Sequence, residues 1–207
     1  MKKARLGVLV SGNGSNLQAL IDACKAVDYP AEIAVVISNI PEVFALERAR
    51  SAGLKTLTLS HREFSSREDF DAQLLSLLSA HQVEWVCLSG FMRLLTPAFL
   101  KKFPQKVLNI HPSLLPAFPG IHSPRQALAY GVKIAGCTVH LVDEGTDSGP
   151  IVVQAAVAVK DEDTEASLAA RILTEEHRIY PLAVRWMVEG KVTVKGRMVH
   201  SAGESSA

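Results

Sequence analysis

Apolar positions along the chain follow two alternating spacings. RLGVLV (5–10), EIAVVIS (32–38), KTLTL (55–59), EWVCLSG (84–90) and KVLNI (106–110) are short aliphatic, largely β-branched runs. Runs of that length read as strands of a sheet covered on both faces. The stretches between them return to apolar residues every three to four positions, the period of an amphipathic helix. Residues 16–26 form the first such stretch. The second has Pro41 near its first turn and Gly53 past its end, and the third covers 66–80 with Phe70, Leu74, Leu77 and Leu78 on one face. Thr96-Pro97 opens a short fourth helix. Strand-helix units in that order predict an α/β fold of the Rossmann-like, doubly wound kind, with a mostly parallel central sheet.

The pattern changes after residue 110. A helix starts at Ser123-Pro124 and runs to about Tyr130, and KIAGCTVHLV (133–142) and IVVQAAVAV (151–159) read as strands joined by DEGTDSGP. This is a mixed C-terminal extension of the sheet. A long helix over 164–189 follows, with a kink expected near Pro181, which has no N–H for the helix ladder. The small polar end SAGESSA (201–207) predicts a disordered tail. The expected organisation is one domain over 1–200, in halves 1–105 and 106–200.

Composition narrows the function classes. A net charge of +1 leaves no footprint for nucleic acid or an anionic membrane. No apolar run approaches the ~18 residues of a membrane span, and the first apolar run is too short for a secretion signal. Cys24, Cys87 and Cys137 lie far apart without CxxC spacing, which argues for a reducing compartment, the cytoplasm. HxxxH, HxH and Cys-His spacings are absent, so no metal is expected.

Four places carry candidate chemistry. In VSGNGSNLQAL (10–20), the turn Gly12, Asn13, Gly14, Ser15, Asn16 sits between a strand and a helix, where backbone N–H groups and the positive dipole end favour phosphate. It is not a dinucleotide fingerprint: Leu17 stands where the third glycine belongs, and Ser38-Asn39 stands where an acid would hold the ribose. The plainer alternative is a tight turn with Ser15 or Asn16 as cap. In LNIHPSLLPAFPG (108–120), Asn109 and His111 point to the same side of a strand end. The glycine turn, the Gly90-Phe91-Met92-Arg93 segment and Asn109/His111 all follow strand ends, the rim where open α/β sheets bind ligands. In the 143–148 loop, Asp143 and Glu144 read as solvated, whereas Asp147 is placed to face His111 and raise its affinity for a proton. Glu176 lies on the apolar stripe of the last long helix, as an edge charge reaching water or as a ligand contact. Ser113 lacks a nucleophile elbow, and no cysteine has a base beside it in sequence.

The runs SGNGSNLQAL, GFMRLL, NIHPSLLPAFPG, HLVDEGTDSGPIV and EEHRIYP, in this order over about residues 5–190, resemble the phosphoribosylglycinamide formyltransferases, a family of folate-dependent formyltransferases. The resemblance implies the formyltransferase fold and formyl transfer from 10-formyltetrahydrofolate, as co-substrate, to glycinamide ribonucleotide in purine synthesis, with no metal. It carries the catalytic roles onto Asn109, His111 and Asp147. The ribonucleotide, with its phosphate, falls on Gly12, Asn13, Gly14, Ser15, Asn16 and Glu176. The folate falls on Met92, Arg93, Leu94, Leu95, Asn109, Asp143, Glu144, Gly145, Thr146 and Asp147. The first half would then hold the nucleotide phosphate, and the second half the catalytic and folate-binding residues. Leu173 and Pro124 depart from the pattern. The partners implied are two small molecules, with no nucleic acid and no membrane, for a monomer or homodimer. Alternatives are a formyltetrahydrofolate deformylase, with water as acceptor, and a non-catalytic phosphometabolite-binding module. A methionyl-tRNA formyltransferase, which shares the Asn-x-His-Pro-Ser-Leu-Leu-Pro core, would need a basic tRNA domain.

Overall fold

The computed structural model of the protein describes residues 2–201. Seven strands form one sheet in the order β3-β2-β1-β4-β5-β6-β7, and two more form a separate hairpin. The chain divides between Asn109 and Ile110 into two compact units.

In the first unit, β1 (Ala4–Val10) lies between β2 (Ala31–Ser38) and β4 (Trp85–Ser89), with β3 (Thr56–Thr58) beyond β2, all parallel. Strand β5 (Val107–His111) pairs in parallel with β4 through Val107, Leu108 and Asn109. Leu6, Val8, Leu9 and Val10 have no exposed surface, as continuous apolar runs in a doubly covered sheet require. Helix α1 (Ser15–Cys24) buries Leu17, Leu20 and Ile21. Helix α2 (Phe44–Ser51) begins later than expected: Pro41 lies in the preceding turn, where Glu42 has φ 56°, and not in the helix's first turn. Helix α3 (Arg67–Ala80) is capped by Ser66, whose Oγ accepts from the Asp69 N–H, and buries Phe70, Leu74 and Leu78. Leu77, on the same expected face, is half-buried. Thr96 caps α4 (Pro97–Lys102) in the same way.

In the second unit, α5 (Ser123–Tyr130) is followed by the antiparallel pair β6 (Ile134–Leu141) and β7 (Ile151–Ala158). Helix α6 (Glu165–Val188) packs on both strands, starts from a Thr164/Ser167 capping box and is one continuous helix with Pro181 inside it. Its stripe of Leu168, Ile172, Glu176, Ile179 and Ala183 is buried throughout. The hairpin β8 (Val192–Lys195) and β9 (Met198–Ser201) was not anticipated. Its signal is period-two alternation in VTVK and a Gly196-Arg197 turn, with Gly196 at the positive φ of 61° that tight hairpins use. Ser201 therefore ends a strand and does not open a tail; the remainder of the expected tail, 202–207, lies outside the described residues. Among the described residues no helix is long and apolar enough to cross a membrane.

Candidate active site

The glycine turn of the first unit is fixed by backbone geometry. Gly14 occupies the left-handed region (φ 75°) at the start of α1, and a Cβ there would lie 2.5 Å from the Ala45 Cβ and 2.8 Å from its Cα. Only glycine meets both conditions. The Ala45 N–H donates to the Gly12 carbonyl at 3.1 Å, and Arg48 donates to the Asn13 carbonyl and Oδ1 at 3.0 and 3.1 Å. The turn is thus pinned to the start of α2. The cap position of α1 is Gly14, which has no side chain to offer, so neither Ser15 nor Asn16 stands where a capping residue would. Amides so arranged suit an anion.

The segment after β4 is held at both ends. The Met92 N–H donates to Ser11 Oγ at 2.9 Å, and the Thr96 N–H donates to Asp71 Oδ2 at 2.7 Å. Between these anchors Met92 is 70% and Leu94 52% exposed, whereas Leu95 is buried. Arg93 lies over the Phe70 ring, 4.8 Å from its centroid. Two exposed apolar side chains on a clamped segment offer apolar surface to a ligand. Asp71 escaped the sequence reading. Its signal was its place beside Phe70 and three residues before Leu74, on the apolar face of α3.

Asn109 is half-buried and ends the first unit. Two residues on along β5 comes His111, the strand's last residue and 4% exposed. Both nitrogens of the His111 ring face acceptors. Nε2 lies 3.0 Å from the Phe118 carbonyl and 3.1 Å from Ser123 Oγ, and Nδ1 lies 3.4 Å from Asp147 Oδ2. A neutral ring, with one proton, satisfies one side at a time; the imidazolium satisfies both. Burial nevertheless holds the His111 pKa below its ordinary value, outweighing the Phe118 carbonyl and the Asp147 charge, with His140 pushing the same way as burial. The expectation that Asp147 faces His111 holds, but the net shift is downward: removing the ring from water costs more than the carboxylate returns.

Asp147 has φ 50°, and Phe118 (φ 53°) and His122 (φ 58°) share the left-handed region. Each such residue costs roughly 1–2 kcal/mol; Glu42, Gln82 and Gln105 adopt the same region elsewhere in the chain. The Gly120 N–H donates to Asp147 Oδ2 at 2.8 Å, and His140 Nε2 lies 3.7 Å from Oδ1. Burial pushes the Asp147 carboxyl up, but His140, the Gly120 amide and the His111 ring together hold it below its ordinary value. It is therefore an anion set between two imidazoles. Gly149 closes this loop: a Cβ there would collide with the Leu141 carbonyl oxygen. Glu144 is exposed as expected. Asp143 is more than solvated, since its Oδ1 accepts from the Gly145 N–H (3.1 Å) and Ser148 Oγ (2.7 Å). Arg197, in the unexpected hairpin, donates to the Ser148 carbonyl at 2.8 Å and braces the same loop. Glu176, at 6% exposed, is not an edge charge reaching water.

Ser113, Cys24 and Cys137 are poorly placed to act as nucleophiles. Ser113 Oγ donates to the Ala117 carbonyl. Burial pushes the Cys24 thiol up to about 11, and burial with Glu176 and Glu175 nearby pushes Cys137 up to about 12. The His111–Asp147 pair is equipped for acid-base work.

The formyl transferase family pattern matches residues 4–184. The chain belongs to that family. This formyl transferase is 47% identical over 185 residues to phosphoribosylglycinamide formyltransferase of Escherichia coli (strain K12), a match covering 89% of this chain and 87% of that one. It is 48% identical over 195 residues to the trifunctional purine biosynthetic protein adenosine-3 of Drosophila melanogaster, covering 93% of this chain but only 14% of that longer protein. The crystal structure of glycinamide ribonucleotide transformylase 1 from Symbiobacterium toebii superposes with a TM-score of 0.94 at 52% identity, covering 96% of this chain and 94% of that one. The formyl transferase fold, a mostly parallel seven-stranded α/β sheet, is thereby shared.

Proposed function

We propose that this formyl transferase moves the formyl group of 10-formyltetrahydrofolate to the amine of glycinamide ribonucleotide, a step of de novo purine biosynthesis. The observation that carries the reading is His111, buried with an acceptor at each ring nitrogen and an anionic Asp147 on one of them.

The folate supplies an activated formyl carbon. Attack by the amine nitrogen forms a C–N bond and puts negative charge on the formyl oxygen. The Asn109 amide donates to that oxygen, a contact whose loss typically costs ~10²–10³ in rate. His111, neutral in the free protein because it is buried, takes up the proton the attacking nitrogen sheds. The imidazolium then satisfies the Phe118 carbonyl and Asp147 together, and its charge favours the oxyanion. Collapse breaks the bond to the folate nitrogen, which receives the proton that His111 took up, passed on by way of Asp147 and water. Tetrahydrofolate and the formylated ribonucleotide leave, and the ring is neutral again.

In this reading the turn formed by Gly12, Asn13, Gly14, Ser15 and Asn16 holds the ribonucleotide phosphate, and Glu176 contacts the nucleotide. Met92, Arg93, Leu94 and Leu95, with Asn109, Asp143, Glu144, Gly145, Thr146 and Asp147, serve the folate. The net charge of +1 and three free cysteines favour a cytoplasmic enzyme acting on small molecules; a monomer or homodimer would suffice for this reading.

A spectrophotometric assay with 10-formyltetrahydrofolate, with and without glycinamide ribonucleotide, tests the reaction. Turnover that depends on the ribonucleotide is expected. Folate product released without it would make water the acceptor and the protein a deformylase, and no turnover in either condition would leave a binding module.

A further inference from the structure

Asn39 stands where a dinucleotide-binding fold keeps its ribose-holding acid, yet it is 3% exposed and cannot reach a ligand's ribose. Its side chain has another occupation. Ser11, one residue beyond β1 and 8% exposed, donates from Oγ to Asn39 Oδ1 at 2.6 Å. The same Oγ accepts from the Met92 N–H at 2.9 Å. On its far side, Asn39 Nδ2 lies 3.2 Å from His61 Nδ1, which is also 3.0 Å from the Asn39 carbonyl oxygen.

His61, Asn39, Ser11 and Met92 follow β3, β2, β1 and β4, which is the order of those strands in the sheet. A polar chain therefore crosses the carboxyl rim of the first unit, strand by strand. Donor and acceptor roles agree along its central part: Ser11 has one hydroxyl proton, spent on Asn39, and a lone pair for the Met92 amide. No apolar residue at position 11 could serve both neighbours, and two buried polar groups would be left without it. Ser11 is also the residue directly before the glycine turn.

We propose that Ser11 is a positioning residue: with Asn39 it braces the 92–96 segment against the rim and thereby sets the affinity for the folate co-substrate without touching it. The proposal rests on the reading that this segment holds folate. Asp71 fixes the far end of the segment at Thr96, so losing the Ser11 bond loosens the end that carries Met92 and Arg93.

The test is Ser11→Ala in the full-length enzyme, with KM measured for each substrate and folate binding measured separately by titration with a 10-formyl dideazafolate analogue. We expect the folate KM and the analogue's Kd to rise about 5–20-fold while kcat stays within about threefold, as loss of one buried hydrogen bond at a binding segment would give. Asn39→Ala should act in the same direction, and Ser11→Thr, which keeps the hydroxyl, should recover most of the affinity. A lower Tm with an unchanged folate KM would make Ser11 merely structural and overturn the proposal. Should the alanine variant fail to fold, Ser11→Cys keeps a weakly hydrogen-bonding group at the position while weakening both bonds, and the same folate-specific rise is expected of it. Hydrogen exchange on the unmutated enzyme separates this proposal from the reading beneath it. If the analogue protects the amides of 92–96 yet the Ser11 variants bind it normally, the brace fails and the folate segment stands. If the analogue gives no protection there, both fail.

Discussion

Replacing Asp147 by asparagine is the sharpest perturbation of the proposed chemistry. The amide keeps the shape of the side chain and an acceptor for the Gly120 N–H at 2.8 Å, but removes the negative charge 3.4 Å from His111 Nδ1 and 3.7 Å from His140 Nε2. A carboxylate and an imidazolium 3.4 Å apart attract by about 5 kcal/mol at an effective dielectric of about 20. That is a ceiling, since the Asp147 side chain is 14% exposed and the asparagine retains a dipole. Half to four-fifths of it, about 2.5–4 kcal/mol, corresponds to a fall of about 10²–10³ in kcat. Ribonucleotide binding should change by no more than about threefold, because the charge acts on the transition state. The pH profile carries an independent sign. Burial already holds His111 below its ordinary value, opposed by Asp147. Without the anion the imidazolium is less stable, so the pKa falls further. The acid limb of kcat/KM, where the free enzyme's His111 becomes protonated, therefore moves to lower pH. Steady-state kinetics over the acidic to neutral range would read both effects. A kcat within about threefold of the parent, with an unmoved acid limb, would refute the pairing of Asp147 with His111 as the working acid-base unit.

Gly14→Ala should destabilise the first unit by more than the ~1–2 kcal/mol of a left-handed φ alone, because its Cβ also overlaps Ala45; denaturant unfolding measures it. Ser15→Ala combined with Asn16→Ala should raise KM for the ribonucleotide by about tenfold and leave kcat nearly unchanged, and an unaltered KM would place the phosphate elsewhere. Glu176→Gln, which exchanges a buried carboxyl for an amide of the same shape, should likewise raise the ribonucleotide KM by about tenfold with the folate KM within about threefold. Equal effects on both substrates would count against a nucleotide contact.

Most of the fold was legible because its signals are local. Continuous apolar runs announced the parallel strands, and Ser66, Thr96 and Thr164 marked helix starts that their side chains do cap. Where the reading slipped, a local signal met a competing one. Pro41 suits a helix's first turn, but residues 40–43 fold as a turn with Glu42 at positive φ, and α2 waits until Phe44. The β8–β9 hairpin is four residues to a strand, half-exposed and next to a small polar end, so its alternation was too short to stand out.

The site divides differently. Strand-end positions singled out Asn109 and His111 as candidates, because strand pleat and rim chemistry are periodic and topological rules, and the turn chemistry of the 143–148 loop singled out Asp147. What sequence could not supply is the balance of energies at each atom. Asp147 was expected to raise the His111 pKa, and its charge does push that way; burial wins, and burial belongs to the folded loop that places Phe118 and Ser123 on the far nitrogen. Asn39 carries the same lesson. The missing acid at the end of β2 argued against a dinucleotide, and what replaced it depends on Ser11, 28 residues earlier, and on Met92, 81 residues beyond Ser11. Both partners lie at strand ends that only the order β3-β2-β1-β4 makes neighbours. A residue absent from a motif can thus be read from sequence, while the work its replacement does becomes visible once the sheet has brought the rim together.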